Sequence, residues 1–408
     1  MISPVNTWTA ARTGLSGNLN PETLRQWQRE KLKGQIRYAN KNSAFYRNQL
    51  PDDCELTELP FTSPCDIVYD PFAFLAVPQS LVARVTTLSN SGTTSQRKRI
   101  FFSKADLERT MDFFAAGMST MTCKGEHAQI LLSNKTENSL GSLLRESLSR
   151  IGVISEIPGA IKTANKAIEA SRGSDCLIGM PAEILYMSRT APDLRPKSVL
   201  LAADYAPQSV INSIKETWKC DVFTHYGHTE FGFGCAVDCR YHNGHHLRDA
   251  DLIFEIIDLR TGKPSNPGER GEIVITTLSN EAMPLIRYRT SNISLIINEP
   301  CGCGSILPRL GRIEGRIENN IKIDNNNILS IHKLDEIIFA DPSVLGFNAI
   351  LRHEGERKTL LLTVDSFNSI DLNSLSAILP QGLNLEVKYS KADPFSHRGK
   401  RGIHHEQG

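Results

Sequence analysis

The chain has 408 residues, of which 40% are apolar, and its formal net charge is +1. A chain of this length can bury one large hydrophobic core or about two to three ordinary ones. The near-zero charge argues against a protein that binds nucleic acid or acidic membranes over its whole surface, because such proteins usually carry a clear basic excess. Any charged ligand is therefore expected at a local site.

The location and the redox state can be inferred from two further features. No stretch reaches the roughly 18 consecutive apolar residues that span a bilayer, and the start "MISPVNTWTAARTG" lacks the apolar core of a secretory signal. The nine cysteines are odd in number and irregularly spaced, which is not typical of a secreted disulfide framework. We expect a cytoplasmic protein with free thiols or a metal site.

The first part of the chain alternates helix and strand patterns. Residues 21–42 read as a polar amphipathic helix that opens with a proline. "SKADLERTMDFFAAGMSTM" predicts a helix that begins at Ser103, with Asp106 placed as in a capping box. Strand, helix and strand then follow in "SVLLAADY", "PQSVINSIKETW" and "DVFTHYG". This order indicates crossover units and a mainly parallel sheet.

The pattern changes after residue 251. The runs "LIFEIID", "GEIVITTL" and "LIRYRTS" are rich in β-formers and separated by turn residues, which predicts a smaller and more antiparallel unit. About the last ninety residues contain a helix, "KLDEIIF", and the strands "FNAILRH", "TLLLTV" and "LEVKYS". They are predicted to form a separate α+β domain. The Asn-rich segment 318–328 suits a turn or hinge between these parts.

A hydroxyl-rich stretch, "TTLSNSGTTSQRKRIFF", occupies residues 86–102. It lacks the spacing of a Walker loop, yet its hydroxyl and backbone N–H groups could face a polyphosphate, with Lys98 or Arg97 adding charge. From these residues alone, a solvated turn is the better interpretation.

Four later segments favour the phosphate-binding interpretation over the solvated turn. They are "HYGHTEFG" at 225–232, "PLIRYRTSNIS" at 284–294, "RIEGRIENNIK" at 312–322 and "SHRGKRG" near the C-terminus. In this order they resemble the core motifs of the adenylate-forming superfamily. The segments "NSAFYRNQL", "LPFTSPCDI", "LLAADYAP" and "CGCGSILPRLGRIEGR" are similar to its phenylacetate-CoA ligase branch. The resemblance runs from about residue 44 to 401.

The resemblance implies an α/β protein with a large multi-subdomain adenylation domain of mixed β-sheets, residues 1–315, and a small mobile α+β domain, residues 316–408. It implies an AMP-forming ligase that uses ATP to convert a carboxylic acid to an acyl-adenylate, and an aromatic acid is expected by analogy with this branch. The acyl group then passes to a thiol. Coenzyme A is the expected acceptor, and a carrier protein or a reductase is the alternative. No nucleic-acid or membrane partner is expected, and a homodimer is left open.

The resemblance also assigns site residues. Ser91, Gly92, Thr93, Thr94 and Lys98 match the loop that holds the β- and γ-phosphates of ATP.

For the nucleoside and the α-phosphate, Tyr226 matches the ring that stacks on adenine, with Gly227 beside it. Thr229 matches the hydroxyl at the α-phosphate, and Glu230 the carboxylate that holds Mg²⁺. Ala203 and Asp204 fall where the family lines its adenine pocket.

The C-terminal assignments concern the moving domain. Lys400 matches the lysine that contacts carboxylate and α-phosphate oxygens as the adenylate forms, although a solvated basic tail explains "HRGKRGIHH" equally well. Arg316 matches the arginine at the interdomain joint, and Glu318 lies near the hinge acid. Rotation about this hinge would exchange an adenylating surface for a thiol-accepting one.

Three departures from the family pattern accompany these matches. Ser95 and Arg97 stand where the phosphate loop of the family has a glycine and a proline. A glycine of the thiolation segment is absent from "KIDNNNIL", where Asn325 or Asn326 could adopt the left-handed conformation that glycine supplies. Asn292 stands where the family has the aspartate that binds the ribose hydroxyls. Losing that charged acceptor costs about 1.5–3 kcal/mol, roughly ten- to a hundredfold in nucleotide affinity. A nucleotide-binding protein that has lost turnover is therefore an alternative.

A metal site is predicted from cysteines and histidines. The resemblance assigns Cys239, His246, Cys301 and Cys303 as the ligands of a structural Zn²⁺ ion, since three thiolates and one imidazole close a tetrahedral site. His245 and Cys235 compete for two of these positions. The alternative is that these are reduced cysteines packed as small apolar groups.

Overall fold

The structure is a computed structural model. It describes the chain except residues 1, 52–53, 89–96, 133–137, 159–160, 318–319, 324–327, 355–356, 371–374, 376–378, 381, 392–393, 396–400 and 408. The chain divides into two compact units. Unit 1 comprises Met1–Met121, Thr136–Ile151 and His225–Ile313, and unit 2 comprises Thr122–Lys135, Gly152–Thr224 and Glu314–Gly408.

The helices within the described ranges are α1 (Pro4–Thr13), α2 (Pro21–Asn42), α3 (Pro64–Tyr69), α4 (Lys104–Met118), α5 (Leu140–Arg150), α6 (Ala164–Ala170), α7 (Pro181–Thr190), α8 (Gln208–Trp218) and α9 (Ile331–Ile338). None of the described helices is both long enough and apolar enough to cross a membrane.

The strands of the same ranges are β1 (Val82–Leu88), β2 (Lys98–Ser103), β3 (His127–Ile130), β4 (Ile154–Glu156), β5 (Cys176–Gly179), β6 (Ser198–Leu201), β7 (Asp221–Tyr226), β8 (Ala236–Val237), β9 (His245–Leu247), β10 (Leu252–Ile257), β11 (Gly271–Thr277), β12 (Tyr288–Ser294), β13 (Ile296–Ile297), β14 (Arg309–Leu310), β15 (Asn320–Lys322), β16 (Ile328–Ser330), β17 (Val344–Glu354), β18 (Arg357–Ser366), β19 (Leu383–Tyr389) and β20 (Ile403–Gln407).

Unit 1 is built from antiparallel sheets. Strands β1 and β2 form a hairpin, and β10, β11 and β12 form a three-stranded sheet in that order. The last two residues of β7, His225 and Tyr226, pair with β8, which continues through β9 and β14 to β13. Strand β11 is buried along its whole length, so the three-stranded sheet lies in the core of unit 1.

Unit 2 contains a parallel sheet and a mixed sheet. Strands β4, β3, β5, β6 and β7 are parallel and lie side by side in that order. The mixed sheet has the order β19-β18-β17-β20. One hydrophobic core joins apolar side chains of α7 and α8 to those of α9, β17 and β18. The final segment of the chain therefore packs into the same core as the parallel strands within this unit.

The sequence predictions for the secondary structure hold at most places. The predicted helix 21–42 is α2, and Ser103 and Asp106 form the predicted capping box of α4. The repeat of strand, helix and strand at β6, α8 and β7 is confirmed as parallel. The α/β fold with several mixed sheets is likewise confirmed. Strand β20 was not predicted, because its polar sequence "IHHEQ" resembles a solvated tail. The boundary at 315/316 between a static and a mobile domain stays a prediction.

Candidate active site

The segment "HYGHTEFG" leaves strand β7 in a tight turn. Tyr226 is the last residue of the strand, and a 3₁₀ turn follows at Thr229–Phe231. A Cβ atom at Gly227 would lie 2.0 Å from the carbonyl oxygen of Phe233, so glycine is required at this position. Phe233 itself has a φ of 69°, which is uncommon for a bulky residue. The turn thus holds Thr229 and Glu230 in a fixed place after the strand.

Two side chains predicted to contact the nucleoside meet in unit 1. Both Tyr226 and Asn292 are buried. The Asn292 amide nitrogen donates to the Tyr226 hydroxyl over 3.3 Å and to the carbonyl oxygen of Thr290 over 3.0 Å. The residues are 66 positions apart in the chain, and the structure brings them together.

Glu230 lies in a buried polar group that we call the Glu230 cluster, formed by Lys98, His228, Glu230 and Tyr288. Lys98 Nζ donates to Glu230 Oε1 and, over 2.9 Å, to the Tyr288 hydroxyl. That hydroxyl donates to Glu230 Oε1 over 2.9 Å, and His228 Nδ1 lies 2.5 Å from Glu230 Oε2. Burial alone raises the pKa of the Glu230 carboxyl, but His228 and Lys98 outweigh it and hold the pKa well below its usual range.

This donor set bears on the predicted magnesium ligand. Mg²⁺ prefers oxygen ligands in octahedral geometry. Glu230 Oε1 instead faces an ammonium and a phenol, and Oε2 faces an imidazole nitrogen. As the residues are arranged, they do not fit a magnesium ion bound directly to Glu230.

His228 and Tyr288 were missed as site residues. Both lie inside segments that carry the family resemblance, one in "HYGHTEFG" and the other in "PLIRYRTSNIS". Each is buried, with exposed fractions of 7% and 0%. Their burial beside an assigned carboxylate is what marks them as site residues. Burial at a single position cannot be read from one sequence, so this signal comes from the structure.

Ala203 and Asp204 belong to unit 2, where they follow strand β6. Ala203 has a φ of 70°, a strained conformation that is often found at functional sites. Asp204 Oδ2 accepts the backbone N–H of Arg401 over 2.9 Å, and the Arg401 guanidinium reaches Asp335 on α9 at 2.7 Å. Arg316 lies in the same unit and is half-buried. The residue that follows the predicted Lys400 is thus fixed to the predicted adenine-lining segment.

Several predicted residues lie outside the described part of the chain. They are Ser91, Gly92, Thr93, Thr94, Glu318 and Lys400. Their roles stay predictions, as do the consequences of Ser95 and of the asparagines at 325–327.

The four predicted metal ligands form a second buried group in unit 1, the Cys–His cluster, made of Cys239, His246, Cys301 and Cys303. Their potential ligand atoms all lie within 4.8 Å of one another. The sulfurs of Cys239 and Cys301 are 3.6 Å apart, and Cys303 Sγ is 3.3 Å from His246 Nε2. Ligands about 2.1–2.3 Å from one tetrahedral zinc ion stand at similar separations. The competing Cys235 and His245 are not in this group.

The surroundings of the Cys–His cluster favour metal binding. Burial lowers the pKa of His246 to about 4, so the imidazole is neutral at pH 7, as a metal ligand must be. The buried guanidinium of Arg309 donates to the carbonyl oxygens of Asn243 and Glu299, which lie in the loops that carry the cluster. These loops are therefore held in place before any metal binds.

Comparison with known proteins supports the resemblance to phenylacetate-CoA ligases. No protein-family model matches the chain. Phenylacetate-coenzyme A ligase of Thermus thermophilus is 26% identical over 362 residues, which cover 82% of this chain and 79% of the relative. The enzyme of the same name from Aromatoleum evansii is 27% identical over 361 residues, covering 82% and 80%.

The fold is shared with a solved ligase. A crystal structure of 2-hydroxyisobutyryl-CoA ligase in complex with an acyl-adenylate superposes with a TM-score of 0.80 at 16% identity, covering 95% of this chain and 90% of the other. The chain is thus similar to phenylacetate-coenzyme A ligases over about four fifths of its length, and it shares its fold with 2-hydroxyisobutyryl-CoA ligase.

Proposed function

We propose that the chain activates a carboxylic acid with ATP, releasing pyrophosphate, and transfers the acyl group from the acyl-adenylate to coenzyme A. The observation that carries this proposal is the contact between Tyr226 and Asn292 beside the turn that carries Thr229 and Glu230. Two relatives that this chain matches over more than three quarters of their own length are phenylacetate-coenzyme A ligases.

The residues of unit 1 can contribute to the first half-reaction by position and charge. Tyr226 offers a ring to the adenine and Asn292 an amide to the ribose, while Thr229 offers a hydroxyl to the α-phosphate. In this step the substrate carboxylate attacks the α-phosphorus and pyrophosphate leaves. Holding the two reactants together removes much of the entropic barrier, and fixed donors stabilise the developing charge.

The second half-reaction needs a thiol. Coenzyme A is proposed as the acceptor, with a carrier protein or a reductase as the alternative. An aromatic acid is proposed because the relatives compared above are phenylacetate-coenzyme A ligases. Movement of residues 316–408 between the half-reactions, with Lys400 at the adenylate, remains part of the proposal.

Pyrophosphate exchange into ATP across a panel of aromatic and aliphatic acids tests the first step. Exchange that depends on one class of acid supports the proposal. Nucleotide binding without exchange for any acid would instead favour the protein that has lost turnover. Adding coenzyme A or a phosphopantetheinylated carrier protein then distinguishes the acceptors by thioester formation.

The second candidate function is nucleotide binding without turnover. The residue at the ribose position, Asn292, is the observation that favours it. Asn292 Nδ2 donates to Tyr226, so the amide presents one oxygen and no charge to a ribose. Asn292→Asp is expected to tighten ATP binding about tenfold, measured by calorimetry. If exchange also appears in Asn292→Asp and is absent from the wild type, the natural chain has lost turnover.

We also propose that the Cys–His cluster binds one structural Zn²⁺ ion. All four ligand positions are filled by protein side chains, so a bound ion would hold the loops of unit 1 and leave no position for water. Elemental analysis of purified protein should give one zinc per chain.

A further inference from the structure

The strongest unexplained feature of the site is the lysine at Glu230. Lys98 is the first residue of strand β2, and its backbone is paired with Leu88 of β1. Its ammonium contacts Glu230 Oε1 and the Tyr288 hydroxyl, and it lies 5.6 Å from the centre of the Tyr288 ring. The strand pairing fixes the start of this side chain, and the three contacts fix its end.

Burial makes this contact strong. The side chain of Lys98 is 12% exposed and that of Glu230 is 1% exposed. A carboxylate removed from water to this degree requires a compensating charge or hydrogen bonds. Three side chains contact this carboxylate. Lys98 and Tyr288 contact Oε1, and His228 contacts Oε2, so both oxygens are covered.

We propose that the Lys98 ammonium is the resident cation of Glu230 and takes the place of a divalent metal ion at this carboxylate. The inference deepens the proposed function, on which it rests, because it concerns the charge beside the nucleotide phosphates. A divalent ion that arrives with ATP is then held by phosphate oxygens, and Glu230 positions Lys98 instead of binding the ion.

The physical reason is competition for the same oxygens. A metal ion at Glu230 has to displace an ammonium that makes two contacts in a largely dry environment and that would remain beside the ion as a like charge. Mg²⁺ also gives up its water ligands reluctantly. Both effects favour the side-chain cation over the metal.

Direct binding of Mn²⁺, followed by electron paramagnetic resonance without nucleotide, tests this inference. The proteins are the wild type, Glu230→Gln, Lys98→Met and the double variant. We expect wild type and Glu230→Gln to bind Mn²⁺ equally. Lys98→Met should gain a site at least tenfold tighter than any in wild type, and the double variant should lose it. Lys104→Met, which removes an exposed lysine from the first turn of α4, is the matched control.

The opposite results overturn the inference. A Mn²⁺ site in wild type that Glu230→Gln lacks shows that Glu230 binds metal in the presence of Lys98. An unchanged Mn²⁺ affinity in a folded Lys98→Met shows that Lys98 does not compete. If Lys98→Met fails to fold, as judged by circular dichroism, the comparison of wild type with Glu230→Gln still decides.

These measurements are independent of turnover. Absence of pyrophosphate exchange with every acid would defeat the proposed function and leave the metal-binding result intact. A second readout applies if exchange is found: the Mg²⁺ concentration for half-maximal exchange should be unchanged within twofold in Glu230→Gln, measured on its residual activity, because ATP alone binds the ion.

Discussion

Unit 1 contains two buried polar groups that solve the same electrostatic problem differently. In the Glu230 cluster, the charge of the carboxylate is offset by Lys98, with His228 and Tyr288 completing its contacts. In the Cys–His cluster, three thiols and a neutral imidazole face one another, and the nearby Arg309 guanidinium is directed to backbone carbonyls. The first group has its cation in the chain, and the second, as the proposed zinc site, would take one from solution.

The difference shows how a metal requirement can be read from side-chain chemistry. Three thiols gathered around one point can bind a metal ion as thiolates, because the ion offsets the repulsion that their negative charges would otherwise cause. A carboxylate that already contacts an ammonium has no such need. The resemblance assigns a metal to both groups, and the side chains described around them fit that assignment at the Cys–His cluster but not at Glu230.

The largest expected effect comes from removing a ligand of the Cys–His cluster. Cys303→Ser should lose the zinc and lower the free energy of unfolding by about 3–5 kcal/mol, a part of the ~10–16 kcal/mol with which structural Zn²⁺ binds small domains. Denaturant unfolding and elemental analysis measure both changes. Cys65→Ser, at an exposed free cysteine of unit 1, is the control. A metal-free wild type of unchanged stability would show that these cysteines are packed as reduced thiols.

The next effect concerns the side-chain cation. Lys98→Met leaves the buried Glu230 without its ammonium and should lower the free energy of unfolding by about 3 kcal/mol. Adding Mn²⁺ should restore part of this loss, because an ion that binds only the folded protein stabilises it. Thermal unfolding with Mn²⁺ and with chelator measures the recovery. Equal recovery in the wild type would remove the contrast between the two clusters.

A third buried group, Asp249, shows what burial does when no described cation offsets it. Burial raises the pKa of Asp249 from 3.8 to about 7. The folded protein then holds this proton more tightly than the unfolded chain, so stability is lost as the pH rises from about 4 to about 7. Asp249→Asn should remove this dependence and stabilise the protein by about 2 kcal/mol at pH 8.

Urea unfolding between pH 4 and pH 8 checks this prediction. Asp221→Asn, at an exposed aspartate, should keep the slope of the wild type. A slope in Asp249→Asn equal to that of the wild type would assign the pH dependence to another group.

The smallest expected effect comes from the hydroxyl shared by Lys98 and Glu230. Tyr288→Phe removes one donor to the carboxylate and one acceptor from the ammonium, and should cost about 1–1.5 kcal/mol. Denaturant unfolding against Tyr69→Phe, at a tyrosine that is 86% exposed, isolates the effect of the hydroxyl. A loss as large as that of Lys98→Met would show that the cluster acts as one unit and that Lys98 has no separate role.

Much of the fold could be predicted from the sequence because the signals are local. Helix α2 begins at a proline after an asparagine cap, and α4 begins with the Ser103–Asp106 capping box. Each signal depends on residues within one turn of the helix. The polar strand β20 was missed, since its place beside β17 depends on a partner some fifty residues away and not on its own composition.

The sequence by itself determined the resemblance to the phenylacetate-CoA ligase branch, the order of the motifs and the residue types at each position of the candidate site. Only the tertiary structure decided which of these side chains share an environment. Lys98 and Glu230 are 132 positions apart, Tyr226 and Asn292 66, and Cys239 and Cys301 62. Burial and electrostatic pairing depend on distances in space, so the same glutamate can be a metal ligand or the partner of a lysine. The folded chain brings Lys98 to Glu230, and this contact sets the chemistry of the carboxylate.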